Sequence, residues 1–285
     1  MKKALINVLA VFCLVASAPV LAFAAEKPYD GSLYGLTGNL WAVQEVTGTI
    51  SDQGNDKVTL IVLRDRSDNR AERMWLRVEP GYPEFTPPGK KPQPYLVPLP
   101  EGLQGYGPHI EFVAFIPGQQ EQLFLTLDGG PQGPKLFAVI QIRHNDPRRD
   151  ARILFDSRTM DRAILSGEFI GQYKAQLRVM DTNTNVFLDL AGRKDFYSRE
   201  GVYDRGGKLR KYVAITTSTY NDITVGERDA RGISGLNATI EFYGLNDDDH
   251  LGRVDCTLRY DLDFNSWKLI ASEVVPAADI GLWTR

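Results

Sequence analysis

Asn246-Asp247-Asp248-Asp249-His250 is the densest run of chemistry-bearing side chains in this 285-residue sequence. Three carboxylates, an amide oxygen and an imidazole are donors that a divalent cation accepts, so Asp247, Asp248 and Asp249 are candidate metal ligands. Glu227 and Asp229, on an earlier Gly-containing turn, are two more candidates. The spacing differs from an EF-hand, which needs a glycine at its sharp turn and a distal glutamate. Asp and Asn also favour turns for backbone reasons alone, and this run falls where two strands must be connected.

Other chemistries find less support. The histidines are His109, His144 and His250, with no H-x-x-H or C-x-x-C pair to begin a zinc site. Around Ser234 the sequence Gly-Ile-Ser-Gly falls short of a G-x-S-x-G nucleophile elbow, and no phosphate-binding Gly-rich loop occurs. With 36 acidic residues many carboxylate pairs are available, but their separation in space is not legible from the chain. Cys256 alternates with Val254, Leu258 and Tyr260 on one apolar strand face, which predicts a buried, inert thiol rather than a nucleophile. No catalytic residue is assigned, and the expectation is a protein that is not an enzyme.

The elements that would position these residues are strands. Val254, Cys256, Leu258 and Tyr260 face one way and Arg253, Asp255, Thr257 and Arg259 the other, the period-2 pattern of a half-buried strand. Residues 173–190 read as a hairpin around a turn at 181–185. Residues 58–63 are apolar at every position except Thr59, as an interior strand requires, with 72–78 as partner. Further strands are expected at 39–46, 109–116, 122–127, 135–142, 151–155, 213–219 and 267–275. A sustained 3.6-residue period is missing, apart from a faint one at 156–165. Nine of the sixteen prolines lie in 80–108, where regular strand pairing is not expected. Tyr82, Phe85, Tyr95 and Tyr106 sit in that insert and are candidate ligand-stacking residues for a sugar ring or a Pro-rich peptide.

Residues 1–24 have the grammar of a signal peptide: Lys2 and Lys3, an apolar run broken by Pro19, then Ala22-Phe23-Ala24. An uncleaved N-terminal anchor is the competing reading of the same run. Removing the leader leaves 31 basic and 36 acidic residues, a net charge of −5, with no basic patch for nucleic acid. No second apolar run of membrane length follows. Residues 25–285 are read as a single all-β domain carrying the 80–108 insert. Cys256 is then the only cysteine, so an intramolecular disulfide is excluded and packing must supply the stability.

Residues 226–236, and 244–260 with their Leu251-Gly252 and Leu258-Arg259-Tyr260, resemble the secreted VCBS/FG-GAP-type repeat proteins of Bacillus and Clostridium relatives. GKLRKYV from Gly207, TGTISDQGNDKVTL from Thr47 and FLTLDGGPQGPKLFAVI from Phe124 are similar to other parts of that family. The resemblance implies a propeller-like array of short antiparallel sheets, with a sandwich or barrel as the alternative. It also implies calcium-binding D-x-D-G-D-G turns, from which this chain departs. Thr49, Asp52 and Asp56 remain at one turn, Pro117-Gly118-Gln119-Gln120 has no aspartate, and Glu227 and Asp229 stand beside Arg228 and Arg231. No cofactor is therefore expected, calcium being the one candidate. The expected role is non-enzymatic: an exported protein, extracellular, at the cell surface or periplasmic, that is structural or binds an envelope protein or glycan. The alternative is a carbohydrate-binding or carbohydrate-active protein using the Pro/aromatic insert.

Overall fold

The structure is a computed structural model that describes residues 26–50, 55–81, 93–131, 133–143, 150–159, 165–180 and 182–283. The leader, Asp52, Tyr82, Phe85 and His144 lie outside the described residues, as does half of the faint helical period at 156–165. Where the chain is described it is all-β, with four antiparallel sheets of four or five strands and one short helix.

The first sheet takes β1 (Lys27–Pro28), β2 (Leu40–Gly48), β3 (Asp56–Arg64), β4 (Ala71–Glu79) and β5 (Tyr95–Pro98), in that order. The second takes β6 (Tyr106–Val113), β7 (Gln122–Asp128), β8 (Leu136–Ile142) and β9 (Ala151–Asp156). β10 (Leu165–Ile170), β11 (Lys174–Val179) and β12 (Thr184–Asp189) begin the third sheet, before helix α1 (Lys194–Arg199). The fourth is β13 (Thr216–Val225), β14 (Leu236–Tyr243), β15 (His250–Asp261) and β16 (Ser266–Pro276). The last strand, β17 (Gly281–Trp283), returns to pair with β12 at the edge of the third sheet. The expectation of short antiparallel sheets holds. No closed barrel or propeller is seen among the described residues.

The second sheet is a shared wall between two cores. Leu123, Leu125 and Leu127 of β7, with Leu136, Ala138 and Ile140 of β8, pack with the first sheet. Phe124, Phe137, Val139 and Phe155 face the opposite core, shared with the third and fourth sheets. A strand buried on both faces needs consecutive apolar residues, which is why β7 and β8 read as runs rather than alternations. Aromatic rings close the second contact, with Trp267 set edge-on to Phe115 at 5.3 Å and to Phe155 at 5.6 Å between centroids.

Three expectations need correction. The Pro-rich stretch does contain paired backbone, because β5 bonds only to β4 and so occupies an edge, where proline is tolerated. Pro108 likewise sits in β6, an edge strand whose register shifts between Tyr106 and His109. The strand expected at 213–219 instead spans Thr216–Val225, and residues 213–215 bond β10: the Ile215 amide donates to Gly167 O at 2.8 Å. Two register shifts let β13 continue through Asn221 and Asp222, polar residues that read as a strand end. The third correction is α1, which was not expected; its six residues bury only Tyr197, too few for a helical period to show.

Gly252 explains the Leu251-Gly252 pair of the sequence. Its φ is +149°, and a Cβ there would meet Val275 O at 2.5 Å and the Phe242 ring at 2.9 Å, beside the register shift that joins β14 to β15.

Candidate functional site

The acidic run lies between β14 and β15, and its members have different surroundings. Asp247 and Asp248 are exposed, whereas Asp249 is only 3% exposed. Asp249 Oδ1 accepts from Arg193 Nη1 at 2.8 Å and from the Tyr197 hydroxyl at 2.9 Å. Its Oδ2 accepts from the Leu245 amide at 2.8 Å. Arg193 is gripped from its other side by Asp279, through Nε and Nη2 at 2.6 Å each. The Asp279 hydrogen bonds, ahead of the one to Asp249, raise the guanidinium pKa further; burial raises that of the Tyr197 hydroxyl, with the Asp249 charge adding to it. The arrangement fastens the 244–249 turn to α1 and the C-terminal segment.

Asp229 plays a similar part in the turn before β14. Its Oδ1 accepts from the Arg231 amide at 2.9 Å and the Ile233 amide at 3.0 Å. Its Oδ2 takes Arg259 Nη1 at 2.8 Å and Arg231 Nη2 at 3.3 Å. The Ile233 amide first, then the Arg231 amide and the two guanidinium groups, hold the carboxyl down at about 2. Gly232, at φ +77°, completes the turn in a conformation that favours glycine. Glu227 is exposed and shares none of these bonds.

Among the described residues no group of three or more His, Cys, Asp or Glu side chains is arranged to hold a metal ion. His109 lies on β6 and His250 opens β15, in different sheets. Two guanidinium groups on Asp229 occupy the place a cation would need. Millimolar calcium, or a chelator, is expected to move the melting temperature by less than about one degree; a ligand at a hundred times its Kd would add about 2.7 kcal/mol. A clear calcium-dependent rise that Asp229→Ala or Asp247→Ala removes would restore a metal role to these turns.

Of the aromatic candidates in the insert, Tyr95 is 5% exposed and belongs to the core between the first two sheets, so its ring is not a platform for a ligand. Tyr106 is half-buried at the start of β6, and its hydroxyl donates to Asp68 Oδ2 at 2.8 Å. Cys256 is 3% exposed on the inward face of β15, as its alternation predicts. Burial, with a smaller contribution from Asp255, pushes its thiol pKa up to about 12. Native protein is therefore expected to resist thiol labelling at pH 8 and to react fully in denaturant, and rapid labelling of the native form would refute this packing.

The feature that the sequence did not single out is the solvent face of the fourth sheet. Asp222 and Thr224 of β13, Asn237 and Thr239 of β14, and Asp255 and Thr257 of β15 line an open trough of about 540 Å³. Register brings them together, Asn237 standing opposite Thr257 and Thr239 opposite Asp255. Thr239 Oγ1 donates to Asp255 Oδ1 at 3.3 Å, Arg253 Nε donates to the same oxygen at 3.0 Å, and Thr257 Oγ1 donates to Asn237 Oδ1 at 3.4 Å. Glu273 of β16 stands opposite Asp255 and adds a further carboxylate. The even alternation of β15 was the available signal, since it placed Asp255 and Thr257 together on the polar side. The trough presents hydroxyl, amide and carboxylate groups suited to a ligand rich in hydroxyls or amides.

No curated protein and no solved structure matches the chain. Residues 164–275, which include β10 to β15, β16 up to Val275 and every residue of the trough, match the family model of the YybI C-terminal domain.

Proposed function

We propose that this chain is a non-enzymatic, exported binding protein of the cell envelope, and that the trough on the β13–β16 sheet is its recognition surface. The observation that carries the reading is the trough itself: a broad face of polar side chains from four neighbouring strands, within the 300–1,000 Å³ range of ligand sites. Ligand pockets for drug-sized molecules are mostly apolar; a polar, open face suits an extended polymer that exchanges water hydrogen bonds for protein ones. The two acidic candidates drawn in from solvent, Asp229 and Asp249, are engaged in holding turns. Export rests on the leader-like residues 1–24.

Co-sedimentation of the leaderless protein with purified insoluble cell-wall material tests the reading. The wild type should pellet with the polymer. Asn237→Lys, which plants a long charged side chain on an exposed position of the trough, should reduce the bound fraction at least about tenfold without moving the melting temperature, a loss of about 1.4 kcal/mol in binding. Failure of the wild type to pellet, or retention that ignores Asn237→Lys, would overturn it.

A further inference from the structure

The outward face of the β10–β11 hairpin carries a second hollow, of about 260 Å³, beside a bare aromatic ring. Ser166 stands opposite Arg178 and Glu168 opposite Gln176, so these four polar side chains share one face in a patch of about 5 by 7 Å. Residues 213–215 extend that surface as a third strand. The Phe169 amide donates to Val213 O at 2.9 Å, the Ile215 amide to Gly167 O at 2.8 Å, and Ala214 stands opposite Glu168. Continuing this register by two residues puts Tyr212 opposite Ile170, on the same face as Glu168 and diagonal to it. The small Ala214 side chain leaves the space between the ring and the carboxylate open.

Tyr212 is 66% exposed, one of the barest large side chains in the described residues, yet it lines this hollow. The side chains of Ser166, Glu168 and Gln176 take no partner within the described protein, and Arg178 reaches only Asn183 Oδ1, at 3.3 Å. A flat ring at one wall, with a carboxylate, an amide, a guanidinium fork and a hydroxyl across the floor, offers stacking together with both donors and acceptors.

We propose that this hollow binds a single pyranose ring of a glycan, its C–H face stacked on Tyr212. Neighbouring hydroxyls donate to Glu168 and accept from Gln176 and Arg178. An apolar side chain of a peptide in the same place would strip water from Glu168 and Arg178 without replacing their hydrogen bonds. An anionic ligand would meet the Glu168 carboxylate in the floor. The assignment rests on the reading of this chain as a binding protein but uses a different face from the β13–β16 trough.

Calorimetric titration of the leaderless protein with chitotetraose, cellotetraose and maltotetraose tests the site. At least one tetrasaccharide should bind, Tyr212→Ala should weaken it about tenfold, and Tyr212→Trp should retain it. Gln176→Ala should weaken binding several-fold, and Leu33→Ala, at an exposed position outside both faces, should leave it unchanged. Because Tyr212 is exposed, the melting temperature of its variants should match the wild type, which separates lost binding from lost folding. Binding of none of the three sugars, or binding that Tyr212→Ala leaves intact, overturns the proposal. Wild-type protein that pellets with cell-wall material and ignores all three sugars would sink the pyranose site alone. Sugar binding that depends on Tyr212, in a protein that does not pellet, would sink the trough reading alone.

Discussion

Asp249→Ala should destabilise the protein by about 3–5 kcal/mol, seen as a lower urea midpoint, because it removes one partner from a buried, charged network. The Asp249 side chain is 1% exposed against 18% for Arg193. Its loss leaves the buried Tyr197 hydroxyl and the partly buried Leu245 amide without their acceptor, and an orphaned buried group costs about 1–3 kcal/mol. Arg193 keeps its two bonds to Asp279, which is more exposed, so the arginine is not stranded entirely. That distinction sets the order of the variants. Asp249→Asn retains the volume and an acceptor for Leu245, and should cost less than alanine. Asp279→Ala, at the exposed end, should cost least. A urea midpoint unchanged by Asp249→Ala would mean that the 244–249 turn is not held by this carboxylate.

The same residue shows where the sequence stops being informative. The cluster 246–250 was visible at once, but the partners of Asp249 lie 56 residues away at Arg193 and 52 away at Tyr197, on a helix too short to announce itself. A run of aspartates reads as a cation site until one of them is seen buried under a guanidinium. The strands fared better where side-chain alternation was uninterrupted. β15 keeps Val254, Cys256 and Leu258 inward as its pattern demanded, and β11 with β12 forms the expected hairpin. Legibility fails at irregularities. β13 crosses two register shifts and carries Asp222 at φ +47°, so its apolar residues Tyr220 and Ile223 do not alternate. β5 and β17, four and three residues long, are short edges whose pairing is decided by β4 and β12 rather than by their own residues.

The trough and the Tyr212 hollow were hidden for a related reason. Asp255 and Thr257, like Gln176 and Arg178, were legible as outward members of an alternation, but Ser166, Glu168, Tyr212, Asp222 and Thr224 lay outside the expected strands, and which residues become neighbours depends on strand register. A slip of one residue between β14 and β15 would turn Asn237 and Thr239 toward the core. Register here is held by the inward set, Leu236, Ala238, Ile240 and Phe242 against Leu258, Cys256, Val254 and Gly252. The core thus determines the polar face, and the polar face could not be assembled before the core was.

Trp267→Ala should cost about 3–5 kcal/mol and should also split the unfolding transition. Trp267 is 8% exposed on β16, with Phe115 of the β6–β7 connection, Phe155 of β9 and Tyr260 of β15 edge-on around it at 5.3, 5.6 and 5.8 Å. It is therefore where the fourth sheet meets the wall shared by the two cores. With that contact whole, loss of the C-terminal sheets exposes the aromatic face of the second sheet, so both cores should unfold together. With it replaced by a cavity, the C-terminal core should melt first and the core between the first two sheets later. Leu60→Ala is the control: Leu60 is fully buried in the core between the first and second sheets, and its loss should cost about 2–5 kcal/mol while leaving a single transition. Trp267→Phe refines the argument, because the indole Nε1 is buried and has no hydrogen-bond partner among the described residues. Removing that donor recovers a desolvation cost that partly offsets the smaller ring, so phenylalanine should cost well under half as much as alanine. Coincident transitions by fluorescence and circular dichroism in Trp267→Ala, with a loss below about 1 kcal/mol, would show that the two cores are not joined through this residue.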